Sequence, residues 1–388
     1  MLKGATRTRV HVTAALAALW LTACGGGGGG DAAPNPPAGQ GPGVEAPAPA
    51  PAPQQLSWTQ TTSAAQPHHT VAMNAAGTVM VAGGNIGELY VSRDSGSTWE
   101  LQTQGLPGGQ RWVSADVDGS GNTILAAGFD GQLYRWTPAL GWIQVDEAYN
   151  AGQLAYESVA VSSDGLRMLT AVQNGPLRYS VDGGTTWLQA GGVPAAAMWR
   201  AVDLSADGMT AIAAHHDGTL YLSTDGGANF APLEVNVGAG PVNDGWYRAA
   251  ISGDGSTIVI AGNQQWGGAT SGIYVGRRNA DGTWTWTQGS TVAGNYGAVS
   301  VSANGQVIAA GLYAPTDPTG APGQILVSTN GGASFSAITP PSATEANYRA
   351  LALNGAGDRL LVGAGDFAGN GFTGTPGALY LSSGSLGQ

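Results

Sequence analysis

The chain has 388 residues, with 64 glycines, 21 prolines, one cysteine and a formal net charge of −11. A lone cysteine excludes an internal disulfide and a thiolate metal site. The acidic balance disfavours nucleic acid and anionic lipid headgroups as partners.

In chain order, Met1–Arg9 is basic and Val10–Ala23 is apolar, the pattern of a secretory leader over 1–23 that is too short to remain as a spanning helix. The leader ends in Leu21-Thr-Ala-Cys24, which resembles a bacterial lipobox. The resemblance implies that Cys24 becomes the first mature residue and carries lipid, the chain's only attachment to a membrane. Gly25 in place of Asp after the cysteine implies, by the same resemblance, the outer membrane of a Gram-negative envelope. Of the 14 basic residues, Lys3, Arg7 and Arg9 leave with the leader, so eleven arginines face 25 acids, a net charge of −14. Residues 24–55 hold six consecutive glycines and then mostly Ala, Pro and Gly. This stretch has no means of burying a core and reads as a disordered tether with a reach of about 30 Å.

Residues 56–388 read as one all-β domain built from a repeat. First strands alternate large and small side chains: Val71-Ala-Met73, Ala115-Asp-Val117, Val159-Ala-Val161, Val202-Asp-Leu204, Ala249-Ala-Ile251, Val299-Ser-Val301 and Leu351-Ala-Leu353. Each is followed by a Gly/Asp/Asn turn and further short strands. The seventh unit stops after its third strand, Leu379-Tyr-Leu381. Leu56-Ser-Trp-Thr-Gln60 has the look of a fourth strand, so the N-terminal strand is expected to complete the last unit and close the ring.

An octet recurs between third and fourth strands: Ser92-Arg-Asp-Ser-Gly-Ser-Thr-Trp99, Ser180 to Trp187, Ser223 to Phe230 and Ser328 to Phe335. The Asp or Asn at 94, 182, 225 and 330 accepts turn N–H groups, glycine supplies positive φ, and the aromatic folds back on the sheet. These four residues are read as structural. Degenerate copies begin at Arg135 and Arg277. The octet resembles the Asp-box of the BNR repeat propellers, which include sialidase-like and photosystem II assembly-factor-like groups. The resemblance implies a seven-bladed β-propeller over 56–388.

Two features mark one face. His68, Trp112, Tyr156, Trp199, Trp246, Tyr296 and Tyr348 share a register just before the first strands, which puts them around the channel mouth; there they either plug the channel or wedge between blades, or form a stacking surface for a ligand. Arg200, Arg248 and Arg349 lie close by, with Arg248 out of register. Loops lengthen at 263–272, 313–324 and 366–377, carrying Trp266, Tyr313, Asp317, Asp366, Phe367 and Phe372. The ligand-binding candidates are Trp112, Tyr156, Trp199, Arg200, Trp246, Tyr296, Tyr348, Arg349, Trp266 and Tyr313. His215-His216-Asp217 and His68-His69 lack a defined third ligand, so neither a metal nor another cofactor is expected.

The photosystem II assembly-factor-like group implies a non-catalytic scaffold that engages a protein; the aromatic ring would equally suit a glycan. The rival is a glycoside hydrolase using Asp116 with Asp203, or Asp317 with Asp366. Three arginines with Tyr156 and Glu157 nominally match sialidase ingredients, but the Arg-Ile-Pro signature that accompanies sialidase Asp-boxes is absent.

Overall fold

The computed structural model describes residues 56–388 except 86, 147–154, 239, 243–244, 263–271, 314–322, 343–346, 366–375, 384–385 and 387–388. Cys24, the leader and the tether lie outside the described residues, as do Trp266, Asp317, Asp366, Phe367 and Phe372. Among the described residues all regular structure is β, and no helix is long and apolar enough to cross a membrane.

Strands follow one another antiparallel in four-stranded sheets. Their first strands are His68–Met73, Trp112–Val117, Tyr156–Val161, Ala197–Leu204, Trp246–Ile251, Asn295–Val301 and Tyr348–Leu353. Each packs against the next in this order, and Tyr348–Leu353 packs back on His68–Met73, so the inner strands form a closed circuit. The third and fourth sheets are joined where Gln173 pairs with Met198. The last sheet takes its outer strand from the other end of the chain: Ser57–Gln60 pairs with Pro376–Ser383, Trp58 opposite Ser382.

The apolar core is divided into clusters, each lying between two neighbouring sheets. The alternating apolar residues of second strands, such as Met80–Gly84 and Ile258–Ile260, are buried on both faces because each sheet is sandwiched. Polar side chains tie inner strand to inner strand. Thr70 Oγ1 accepts from the Ala115 N–H (2.9 Å), Ser114 Oγ from Val159 (3.1 Å), Ser158 Oγ from Val202 (3.1 Å) and Ser300 Oγ from Leu353 (3.0 Å).

The octets form as the sequence reading requires. Asp94 Oδ1 accepts from the Thr98 N–H (2.8 Å), Gly96 adopts φ 86°, and Trp99 Nε1 donates to the Gly96 carbonyl (3.2 Å). Asp182, Asp225 and Asn330 hold the same bond, to Thr186, Asn229 and Ser334. In the degenerate copies arginine stands where the octet has its first serine. Arg135 donates to the Gly183 carbonyl and Arg277 to that of Gly331 (2.5 Å), so each grips the octet of the following sheet.

Candidate functional site

Of the two readings of the aromatic ring, the structure bears out the wedge between sheets and not the stacking surface. Trp112, Tyr156, Trp199, Trp246, Tyr296 and Tyr348 are all at most 1% exposed, and His68 is equally buried. They are wedges between sheets, not faces open to a ligand. A Cβ on Gly83 would sit 2.6 Å from the Cβ of Trp112, so a residue without a side chain is needed where the indole enters its neighbour. The hydroxyls of Tyr156, Tyr296 and Tyr348 are tied to Asp146, the Val292 carbonyl and the Ser342 carbonyl. Full burial of such a ring contributes roughly 2–3 kcal/mol of apolar transfer, which explains the register without any ligand. Tyr313 is also buried and lies under the Arg349 guanidinium, 5.1 Å from centroid to Cζ.

The residues that do face the axis come one and two positions later. At every inner strand the pairing register slips just after the ring residue, as between Trp246 and Arg248 or Tyr348 and Ala350. A bulge of this kind breaks the strict alternation of side chains. The residue two positions on is thereby turned to the channel, and Arg248 lines it with Arg200 and Arg349 instead of pointing away. The cavity there holds about 150 Å³, with His69, Glu157 and Ser158 on the same wall.

Tyr247 is the residue the sequence reading missed. It is buried among the arginines. Arg349 donates to its hydroxyl (2.8 Å), Arg248 lies 4.1 Å over its ring and Arg200 5.7 Å. Shifting the ring register by one, to His69, Val113, Glu157, Arg200, Tyr247, Gly297 and Arg349, would have found it. Arg200 is bonded to Glu157 (3.1 Å), while Arg248 donates to the carbonyls of Gly297 (2.6 Å) and Tyr247 (3.1 Å). Burial pushes the Tyr247 phenol up, but Arg349, Arg248 and Arg200 outweigh it and the pKa falls below its ordinary value. Burial, then Arg349 and Arg248, hold His69 well below the usual histidine range, so it is neutral.

Asp116 and Asp203 are committed elsewhere. Asp116 Oδ2 accepts from the Val161 N–H (2.7 Å) and Asp203 Oδ2 from Ile251 (2.8 Å); each other oxygen accepts from the following residue's own N–H. They staple inner strands, as the serines do. Burial raises Asp116 to about 7, with Asp203 adding repulsion, and burial raises Asp203 to about 6. The nominal Tyr156–Glu157 pair is also undone, since Tyr156 turns to Asp146 and Glu157 to Arg200. His215 spends its nitrogens locally, on the Met198 N–H (3.2 Å) and on Asp217 (2.6 Å).

No protein-family model matches the chain, and no curated protein sequence matches it. Solved structures do. That of YCF48 bound to D1 peptide superposes with a TM-score of 0.58 at 14% identity, covering 86% of this chain and 96% of that one. The GH74 xyloglucanase from Xanthomonas campestris gives 0.62 at 18%, covering 80% of this chain and 53% of the enzyme. The WD40 repeats of RRP9 give 0.61 at 10%, covering 85% and 99%. The fold is a β-propeller. At these identities the likeness extends to architecture alone.

Proposed function

We propose that this chain is a seven-bladed binding propeller, latched by its N-terminal strand and tethered through lipidated Cys24 to the envelope. Its axial face recognises a partner protein without turning it over. The observation that carries this reading is the axial chemistry: fixed guanidinium groups around one tyrosine, with Asp116 and Asp203 already spent on backbone N–H groups. Fixed cations recognise; hydrolysis of a glycoside ordinarily needs two carboxyl groups placed across a bond. The YCF48 propeller, with a D1 peptide bound, shows a fold of this kind holding a peptide.

A second reading, glycoside hydrolysis, has Tyr247 in its favour. A phenol whose pKa is lowered by three arginines, with the charge of Glu157 close by, has the makings of a nucleophile. The two readings separate in one pair of measurements. In-envelope crosslinking followed by affinity purification is expected to recover a discrete protein partner, while a chromogenic glycoside panel stays silent. Turnover of any glycoside that disappears in Tyr247→Phe would overturn the binding reading.

A further inference from the structure

Away from the axis, and independently of the axial reading, the geometry points to a second ligand site: we infer that the cleft between the second and third sheets binds a small, flat aromatic molecule carrying one negative charge. One third-strand position, fixed by its pairing with the second strand, sets this junction apart. Tyr90, Tyr134, Tyr221, Tyr274 and Tyr380 occupy it in five sheets and Leu326 in a sixth. Tyr134, Tyr221 and Tyr274 pack edge-on against Trp112, Trp199 and Trp246 of their own inner strands, at 5.8, 5.4 and 5.5 Å. The third sheet has Arg178 there instead. Arg178 reaches across to Asp146, the residue after the second sheet's outer strand Gly141–Val145, and donates to both its oxygens (2.6 and 2.7 Å). Their side chains are 13% and 2% exposed. Asp146 is kept at φ 57°, a left-handed backbone that residues other than glycine seldom adopt. A buried ion pair generally stabilises a fold no more than the apolar contact it replaces, so stability alone does not call for this exchange.

Around the pair lies a cleft of about 520 Å³, within the roughly 300–1,000 Å³ of sites that enclose a small molecule. The second sheet supplies Ile143 and Val145 to its lining, and the third supplies the part-buried indole of Trp187. These apolar walls favour a flat ring. The sign of charge comes from arginine. Arg178 is neutralised by Asp146, whereas Arg135, also in the lining, donates to the Gly183 carbonyl and has no carboxylate partner among the described residues. One uncompensated cation beside apolar walls selects a single negative charge on the ring.

The test uses the full-length chain and fluorescence titration with two dyes, anilinonaphthalene sulfonate and phenylnaphthylamine, which share their rings and differ in the sulfonate. The sulfonate is expected to fill a single saturable site at least about tenfold more tightly than the neutral amine. Ile143→Trp fills the cleft and is expected to abolish binding of both dyes while thermal unfolding stays cooperative. Arg135→Gln is expected to weaken the sulfonate about tenfold and to leave the amine within about twofold, a split that a disturbed fold does not produce. Thr185→Lys adds a cation at the exposed rim of the cleft and is expected to tighten the sulfonate severalfold. Arg248→Gln, at the axis, is expected to change neither. Equal affinity for the two dyes, no saturable binding of either, loss of the sulfonate in Arg248→Gln but not in Ile143→Trp, or displacement of the dye by maltotriose overturns the inference.

Discussion

Asp116 and Asp203 carry an energetic consequence that their neighbours do not. A serine or threonine staple accepts a strand N–H with no charge to bury, whereas burial raises the pKa values of these carboxyls to about 7 and about 6. They hold protons more tightly in the folded chain than in the unfolded one. The stability they lend is therefore complete below about pH 4 and is lost as pH rises through 6 to 7. Thermal unfolding midpoints are expected to fall between pH 5 and pH 8, with a shallower slope in Asp116→Asn. Asp116→Ala strands the Val161 and Val117 N–H groups and is expected to cost about 1–3 kcal/mol in denaturant unfolding. A pH-independent midpoint in the wild type would contradict the buried-carboxyl account. Sequence alone placed Asp116 and Asp203 correctly in the small middle position of inner strands. It could not reveal that their oxygens are used up, because the donating N–H groups lie 45 and 48 residues away, at Val161 and Ile251. The same limit explains Arg248 and Tyr247: strand alternation was legible, and the bulge that suspends it was not.

At the scale of the element, the octet turn is a closed set of bonds. Asp182 accepts from the N–H groups of Thr185 (3.1 Å) and Thr186 (2.9 Å) and from the hydroxyls of Thr186 (2.6 Å) and Ser180 (2.8 Å). The bonds from Thr186 do most to hold its carboxyl down at about 2. Asp182→Ala is expected to loosen the turn at a cost of about 1 kcal/mol, discounted for its exposure. Asp182→Asn is expected to recover most of that, because Asn330 already serves in the fourth octet. Hydrogen exchange at the Thr186 amide is the direct measurement, and unchanged protection in the alanine variant would remove the Asp from the account of the turn. These elements were the most legible part of the chain, since Ser, Asp, Gly and the aromatic act within eight residues of each other. What escaped was their use by others: Arg135 and Arg277 bond to octets 48 and 54 residues away, a relation with no local signature.

For the whole molecule, the circuit of inner strands closes between the two ends of the chain, and that junction is held differently from the others. Elsewhere adjacent sheets are also joined by covalent chain. Here Ser57–Gln60 lies along Pro376–Ser383, Trp58 Nε1 donates to the Thr339 carbonyl (3.0 Å), and Leu56 and Trp58 pack on the cluster between the last two sheets. Arg359 completes the closure from the other side, donating to the carbonyls of Gly77 (2.9 Å) and Ser95 (3.2 Å). The likeness of residues 56–60 to a fourth strand foretold the first contact; nothing in the sequence foretold the second. Two variants divide the work of the junction. Trp58→Ala removes a half-buried indole but leaves the strand, and is expected to lower stability by about 1–3 kcal/mol with the chain still monomeric. Deletion of residues 56–61 bares the backbone of Pro376–Ser383, and an unpaired strand invites another chain to pair with it. Light scattering coupled to size exclusion is expected to show dimers or larger species for the deletion alone. A monomeric deletion variant with an unchanged midpoint would mean that Arg359 and the inner strands hold the ring shut by themselves, and that the N-terminal strand only covers an edge.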